Sequence, residues 1–166
     1  MPNLTTPDID GRVPLDSLCS FLARHTGVES LTLGNSISSR SCQSKIVVLP
    51  NLSSLHAPAR LALPFVRVNT TLARLHLRQD AQSTVKDLRE TLLLLVGTAV
   101  YSLTLTVDAE GMEALGASHI PVCLRFVQIF SLSAADNFSH SMLVSVVFIL
   151  CSCYPHKNCR LSSRIS

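Results

Sequence analysis

Leu72-Ala73-Arg74-Leu75-His76-Leu77 has the form L-x-x-L-x-L, with its last two leucines two residues apart. In an extended chain, residues two apart share one face and those between them share the other. Leu75 and Leu77 are therefore expected to face a core, and Arg74 and His76 to face outward. The phrase recurs as Val28-Glu29-Ser30-Leu31-Thr32-Leu33, Leu52-Ser53-Ser54-Leu55-His56-Ala57 and Val100-Tyr101-Ser102-Leu103-Thr104-Leu105. Val127-Gln128-Ile129-Phe130-Ser131-Leu132 is a weaker copy. Successive starts lie 24, 20, 28 and 27 residues apart.

Such a strand phrase at this interval, with helical material between copies, is the leucine-rich-repeat signature. One copy cannot bury its leucines alone, so neighbours must stack. The expected fold is α/β: a short, irregular leucine-rich-repeat-like solenoid with a parallel sheet and helices or loops on its convex side. Its five strands should lie side by side in sequence order. An ordinary α/β domain whose strands merely resemble the motif is the alternative. The irregularity shows three residues past each last leucine, where the motif prefers Asn or Cys to satisfy turn backbone groups. Those positions hold Ser36, Arg60, Asp80, Asp108 and Ala135. The two aspartates suit that task, and the other three do not fit.

Between the strands, Leu15, Leu18 and Leu22 recur at helical spacing from about residue 14 to 25, with Phe21 adjoining. Pro14 suits a first helical position, Asp16 the positive helix start and Gly27 the exit. A short helical turn is expected over Ala59 to Leu63, with Pro64 arguing against a longer one. Thr84 and Asp87 have capping-box spacing for a helix over about 85–96, with Gly97 where it should stop. Asp108 is placed to cap a short helix carrying Met112 and Leu115. The serine-rich stretch running to about Lys45 reads as an exposed loop. The organisation expected is a flexible segment over 1–13, the repeat domain over 14–133, and an apolar segment with a basic tail over 134–166.

Tryptophan is absent and aromatics make up 5%, so the core must be aliphatic, and leucine dominates it. The net charge of +3 is small but unevenly placed. No acidic residue lies between Glu29 and Asp80, while Arg40, Lys45, Arg60, Arg67, Arg74 and Arg78 all fall there. Such a block biases partners toward anionic groups, unless these are only solvated arginines. No basic region followed by an apolar stretch appears in MPNLTTPDIDGR, so no secretory signal is read there. The six cysteines are then expected as reduced thiols, and the protein as cytoplasmic or nuclear. Sequons at Asn3, Asn51, Asn69 and Asn137 mean little in that setting.

The run PLDSLCSFLARHTGVESLTLGNS, followed by VVLPNLSSLHAPARLAL and TLARLHL, resembles the irregular leucine-rich-repeat region of fungal F-box proteins. The resemblance covers about residues 14–133, without a recognisable F-box before residue 14, which points to a fragment. It implies the substrate-recognition part of a cullin-type ubiquitin ligase adaptor. It supplies no catalytic residues.

In the repeat register the outward positions are Ser30 and Thr32, Ser54 and His56, Arg74 and His76, Ser102 and Thr104. His56 and His76 hold the same place in successive copies, so on adjacent strands about 4.8 Å apart their imidazoles become neighbours. With Arg74 and Arg78 they form the candidate partner-binding set His56, Arg74, His76 and Arg78. Guanidinium groups grip paired oxygens, which suits an acidic or phosphorylated protein segment, with solvated side chains that hold no ligand as the alternative. A protein partner is expected, and nucleic acid is not. Two histidines lack a third ligand for a metal, and no cofactor is expected. No G-x-S-x-G, phosphate-binding glycine loop or H-E-x-x-H is present, so the chain is not read as an enzyme.

Residues 141–154, SMLVSVVFILCSCY, are almost wholly apolar, with Lys157, Arg160 and Arg164 beyond them. Three readings stand: a buried element closing the repeat stack, a membrane attachment, or a tail foreign to the domain. The membrane reading makes the chain a membrane-associated protein held by 141–154, although a span needs about 20 residues. Cys151, Cys153, His156 and Cys159 are zinc-type ligands, but the C-x-C spacing is too tight for a usual structural site.

Overall fold

Alternation of aliphatic residues with hydroxyl or basic ones builds a parallel sheet. The computed structural model describes residues 3–5, 13–35, 37–38, 47–96, 98–108, 111, 127, 129–134 and 158–163. Five strands fall where the L-x-x-L-x-L phrases are: β3 (Ser30–Thr32), β5 (Ser54–Pro58), β6 (Arg74–Arg78), β7 (Ser102–Val107) and β8 (Ile129–Ala134). They lie adjacent in that order, every pairing parallel. The phrases align without slippage: Leu31, Leu55, Leu75, Leu103 and Phe130 are successive Cα partners.

Two further strands extend the sheet. β1 (Asn3–Thr5) pairs with β3, inside the N-terminal segment expected to be flexible. β9 (Asn158–Ser163), in the basic tail, pairs with β8. Among the described residues the sheet therefore has seven strands. A separate two-stranded parallel pair joins β2 (Val13–Pro14) to β4 (Ile37–Ser38).

The inward positions, Leu31, Leu33, Leu55, Ala57, Leu75, Leu77, Leu103 and Leu105, are buried. So are the residues that open each phrase, Val28, Leu52, Leu72, Val100 and Val127. Each buried leucine contributes about 2 kcal/mol through area removed from water. They form one core with the buried faces of three helices: α1 (Leu15–Leu22), α2 (Ala59–Val66) and α3 (Val85–Leu93). α1 turns Leu15, Leu18, Cys19 and Leu22 inward, and Pro14 sits just outside it as N-cap instead of at its first position. α3 opens with the capping box read from the sequence: Thr84 Oγ1 accepts from the Asp87 N–H, and Asp87 accepts from the Thr84 N–H. It closes at Leu93, three residues short of the expected end.

α2 runs past the expected boundary and contains Pro64. In a helix of 8 residues, Pro64 forfeits one backbone hydrogen bond, while Leu61, Ala62, Phe65 and Val66 bury completely or nearly so. That burial outweighs a single lost bond.

A common hydrogen-bond device opens successive strands. Glu29 carbonyl accepts from both Ser53 and Ser54, Ser53 carbonyl from Ala73 and Arg74, and Ala73 carbonyl from Tyr101 and Ser102. These acceptors occupy the same position in the phrase. Below them, buried Asn69 ties two segments together. Its Oδ1 accepts from Leu49 N–H at 2.6 Å, and its Nδ2 donates to the Phe65 and Val47 carbonyls. At 3% exposure Asn69 is closed to glycosylation in the folded chain.

The turn positions are more regular in chemistry than in residue type. Arg60, which does not fit the motif, does the work expected of asparagine. Its Nη1 donates to the Ile37 carbonyl at 2.8 Å and its Nη2 to the Asn35 carbonyl at 3.3 Å. Its guanidinium also pairs with Asp80, the equivalent residue one copy later, at 3.2 Å with both side chains buried. Asp80 in turn accepts from Ser83 Oγ and the Gln82 N–H. Burial alone would raise the Asp80 carboxyl, but Ser83, the Arg60 bond and charge, and Gln82 hold it below its ordinary value. Asp108 likewise accepts from the Gly111 N–H in the geometry of a helix cap. Met112 and Leu115 lie outside the described residues.

Candidate partner-binding face

The outward positions of β3, β5, β6 and β7 carry serine, threonine, histidine and arginine, together with Pro58 at the end of β5. Ser30, Ser54, Arg74 and Ser102 form one row of Cα partners, and Thr32, His56, His76 and Thr104 the next. Pro58, Arg78 and Thr106 form a third. None of these positions is acidic. Apart from buried Pro58 and exposed Arg74 they are partly buried, as expected of one solvent-facing side of a sheet.

The sheet brings His56 and His76 into a stack, ring centroids 4.0 Å apart and 7° from parallel. Adjacent parallel strands in register enforce this, because both residues occupy the same place in successive phrases. His76 Nε2 shares a hydrogen bond of 3.2 Å with Thr106 Oγ1 on the next strand. Arg78 reaches the other way, and its Nη2 donates to Asn35 Oδ1 at 2.7 Å. Its Nε is buried with no hydrogen-bond partner among the described residues. Arg74 stands solvent-exposed at the start of β6.

Burial and then the Arg78 charge lower the His56 imidazole below its ordinary value. His76 is pushed down to about 4 by burial, then by His56, then by Arg78. Both rings are consequently neutral at neutral pH. The positive charge of the face belongs to Arg74 and Arg78, and the imidazoles contribute polar, flat surface instead of charge.

All four expected residues thus lie on one face, with His56, His76 and Arg78 mutually close and Arg74 at the start of the same strand. Asn35 and Thr106, which orient Arg78 and His76, are not among the residues that the repeat register singles out. Thr106 was within reach of sequence reasoning, since it continues the outward alternation of β7 by one step. The Asn35 contact depends on the path of the turn after β3 and has no sequence signal.

Among the described residues no three His, Cys, Asp or Glu side chains cluster to hold a metal ion. No described helix is long and apolar enough to cross a membrane. Residues 141–154 and the side chains of Cys151, Cys153, His156 and Cys159 lie outside the described residues. No protein-family model, curated protein or solved structure matches the chain.

Proposed function

We propose that this chain is a non-catalytic protein-interaction module, a short irregular leucine-rich-repeat-like solenoid that seats an acidic or phosphorylated protein segment on its sheet face. The observation that carries the reading is the outer face of β3, β5, β6 and β7. It holds two guanidinium groups and a neutral histidine stack, with no carboxylate among its outward positions. An anionic segment laid there meets attraction without like-charge repulsion. The solenoid reading draws support from strands adjacent in sequence order and from the hydrogen-bond device shared by Glu29, Ser53 and Ala73. Similarity to the repeat region of fungal F-box proteins extends it to substrate selection for a cullin-type ubiquitin ligase.

The test is selection from a displayed peptide library containing acidic, phosphorylated and basic members. Wild-type protein should enrich acidic or phosphorylated peptides, and Arg74→Glu with Arg78→Glu should abolish the enrichment while leaving the fold intact. Equal capture by the double variant contradicts the reading. The adaptor role is tested separately, by co-purification of a cullin-type ligase core with the protein from cells.

A further inference from the structure

Resting on that reading, the geometry points to a narrower ligand. We propose that His56, His76 and Arg78 form a seat for one tetrahedral dianion, a phosphomonoester on the partner, and that its arrival makes His56 readier to take up a solvent proton.

Three observations support the seat. First, the stack is a flat platform: the rings lie 4.0 Å apart in strand register, and His76 shares a hydrogen bond with Thr106. Second, Arg78 is pre-aimed. Asn35 accepts from Nη2 and fixes the guanidinium, while its Nε–H is buried and lacks an acceptor among the described residues, a donor that a ligand reaching into the seat would satisfy. Arg78 stands two residues beyond His76 on the same outward side of β6, which places it beside the stack. Third, the donors come from two strands and two kinds of side chain. A planar carboxylate is matched by one guanidinium fork, whereas a phosphate presents three acceptor oxygens in different directions and more charge.

The proton follows from the same arrangement. Among the described residues, the charged or titratable groups facing the His56 ring are His76 and Arg78 on β6, with Arg74 further along that strand. β3 presents Thr32, and β7 beyond β6 presents Thr104 and Thr106. Nothing acidic among these favours an imidazolium, so in the free protein the ring stays neutral. A dianion supplies the missing negative charge. His76 is more buried and bonded to Thr106, so His56 is the ring that takes the proton.

The experiment follows the His56 and His76 ring resonances by NMR while pH is varied in sodium sulfate, in sodium acetate and in sodium chloride of equal ionic strength. Sulfate stands in for the phosphomonoester because phosphate itself titrates near pH about 6, over the imidazole range. Sulfate should shift both rings saturably and raise the His56 midpoint by about one pH unit, with acetate and chloride doing neither. Arg78→Gln should abolish the sulfate effect, and Arg74→Gln at the exposed end of β6 should weaken it. The amide spectrum of each variant reports its fold. If sulfate acts no differently from chloride on the wild-type rings, the phosphate seat is wrong. Arginine-dependent capture of carboxylate-rich peptides would then still uphold acidic recognition, and loss of that capture as well would remove both.

Discussion

The imidazoles of His56 and His76 lie face to face, 4.0 Å between centroids and 7° from parallel, although 20 residues separate them in the chain. That spacing is one repeat interval. The contact expresses register: a phrase repeated along the sequence becomes a row of neighbours across the sheet. The same interval joins Arg60 to Asp80 behind the turns and aligns Leu55 with Leu75 in the core.

The stack makes stability depend on pH. Both rings titrate below the ordinary 6.5, His76 near 4, so as pH falls the unfolded chain takes up protons before the folded one. The stabilisation is complete above 6.5 and is lost progressively as pH drops toward 4. Urea unfolding at neutral pH and midway down that window should show the loss. His76→Asn should flatten the dependence between those two conditions.

The Arg60–Asp80 pair should behave as a buried pair does. Arg60→Met leaves Asp80 charged without its partner and deprives the Ile37 and Asn35 carbonyls of donors. Either Arg60→Met or Asp80→Leu alone should cost about 3–5 kcal/mol by denaturant unfolding. The double variant should be less destabilised than the two losses combined, and the cycle measures their coupling.

Asn69 should be intolerant of changes that keep its size. Asn69→Asp removes both donors to Phe65 and Val47 and sets a buried carboxylate against those carbonyls. It should destabilise more than Asn69→Ala, which itself should cost about 2 kcal/mol through unsatisfied backbone groups. Thermal unfolding of the two variants side by side gives the order.

The sheet was legible because its signal is periodic. Each phrase carries three apolar residues at fixed offsets, so Val28, Leu52, Leu72, Val100 and Val127 set the register, and with it the neighbours of His56 and Arg74. The α3 start was legible because Thr84 and Asp87 form a local motif. The burial of Arg60 was not read, since arginine in isolation suggests surface. Yet Arg60 and Asp80 occupy equivalent turn positions with opposite charge, and that pairing was present in the same spacing that predicted the histidine stack. The extent of α2 was underestimated because Pro64 weighs heavily in local reasoning, while the burial that overrides it is tertiary. β1 offered only Leu4 as an apolar residue, too little to mark a strand. In β9, Cys159 and Leu161 align with Phe130 and Leu132, an alternation hidden by the basic residues around it.

That repeat register builds the outer face is the central claim, and the two histidines report it directly. In a nuclear Overhauser spectrum at neutral pH, the ring protons of His56 should give cross-peaks to those of His76, and these should fade as acid charges both rings. Sharp resonances for both rings with no cross-peak between them would mean that β5 and β6 are not neighbours in this register.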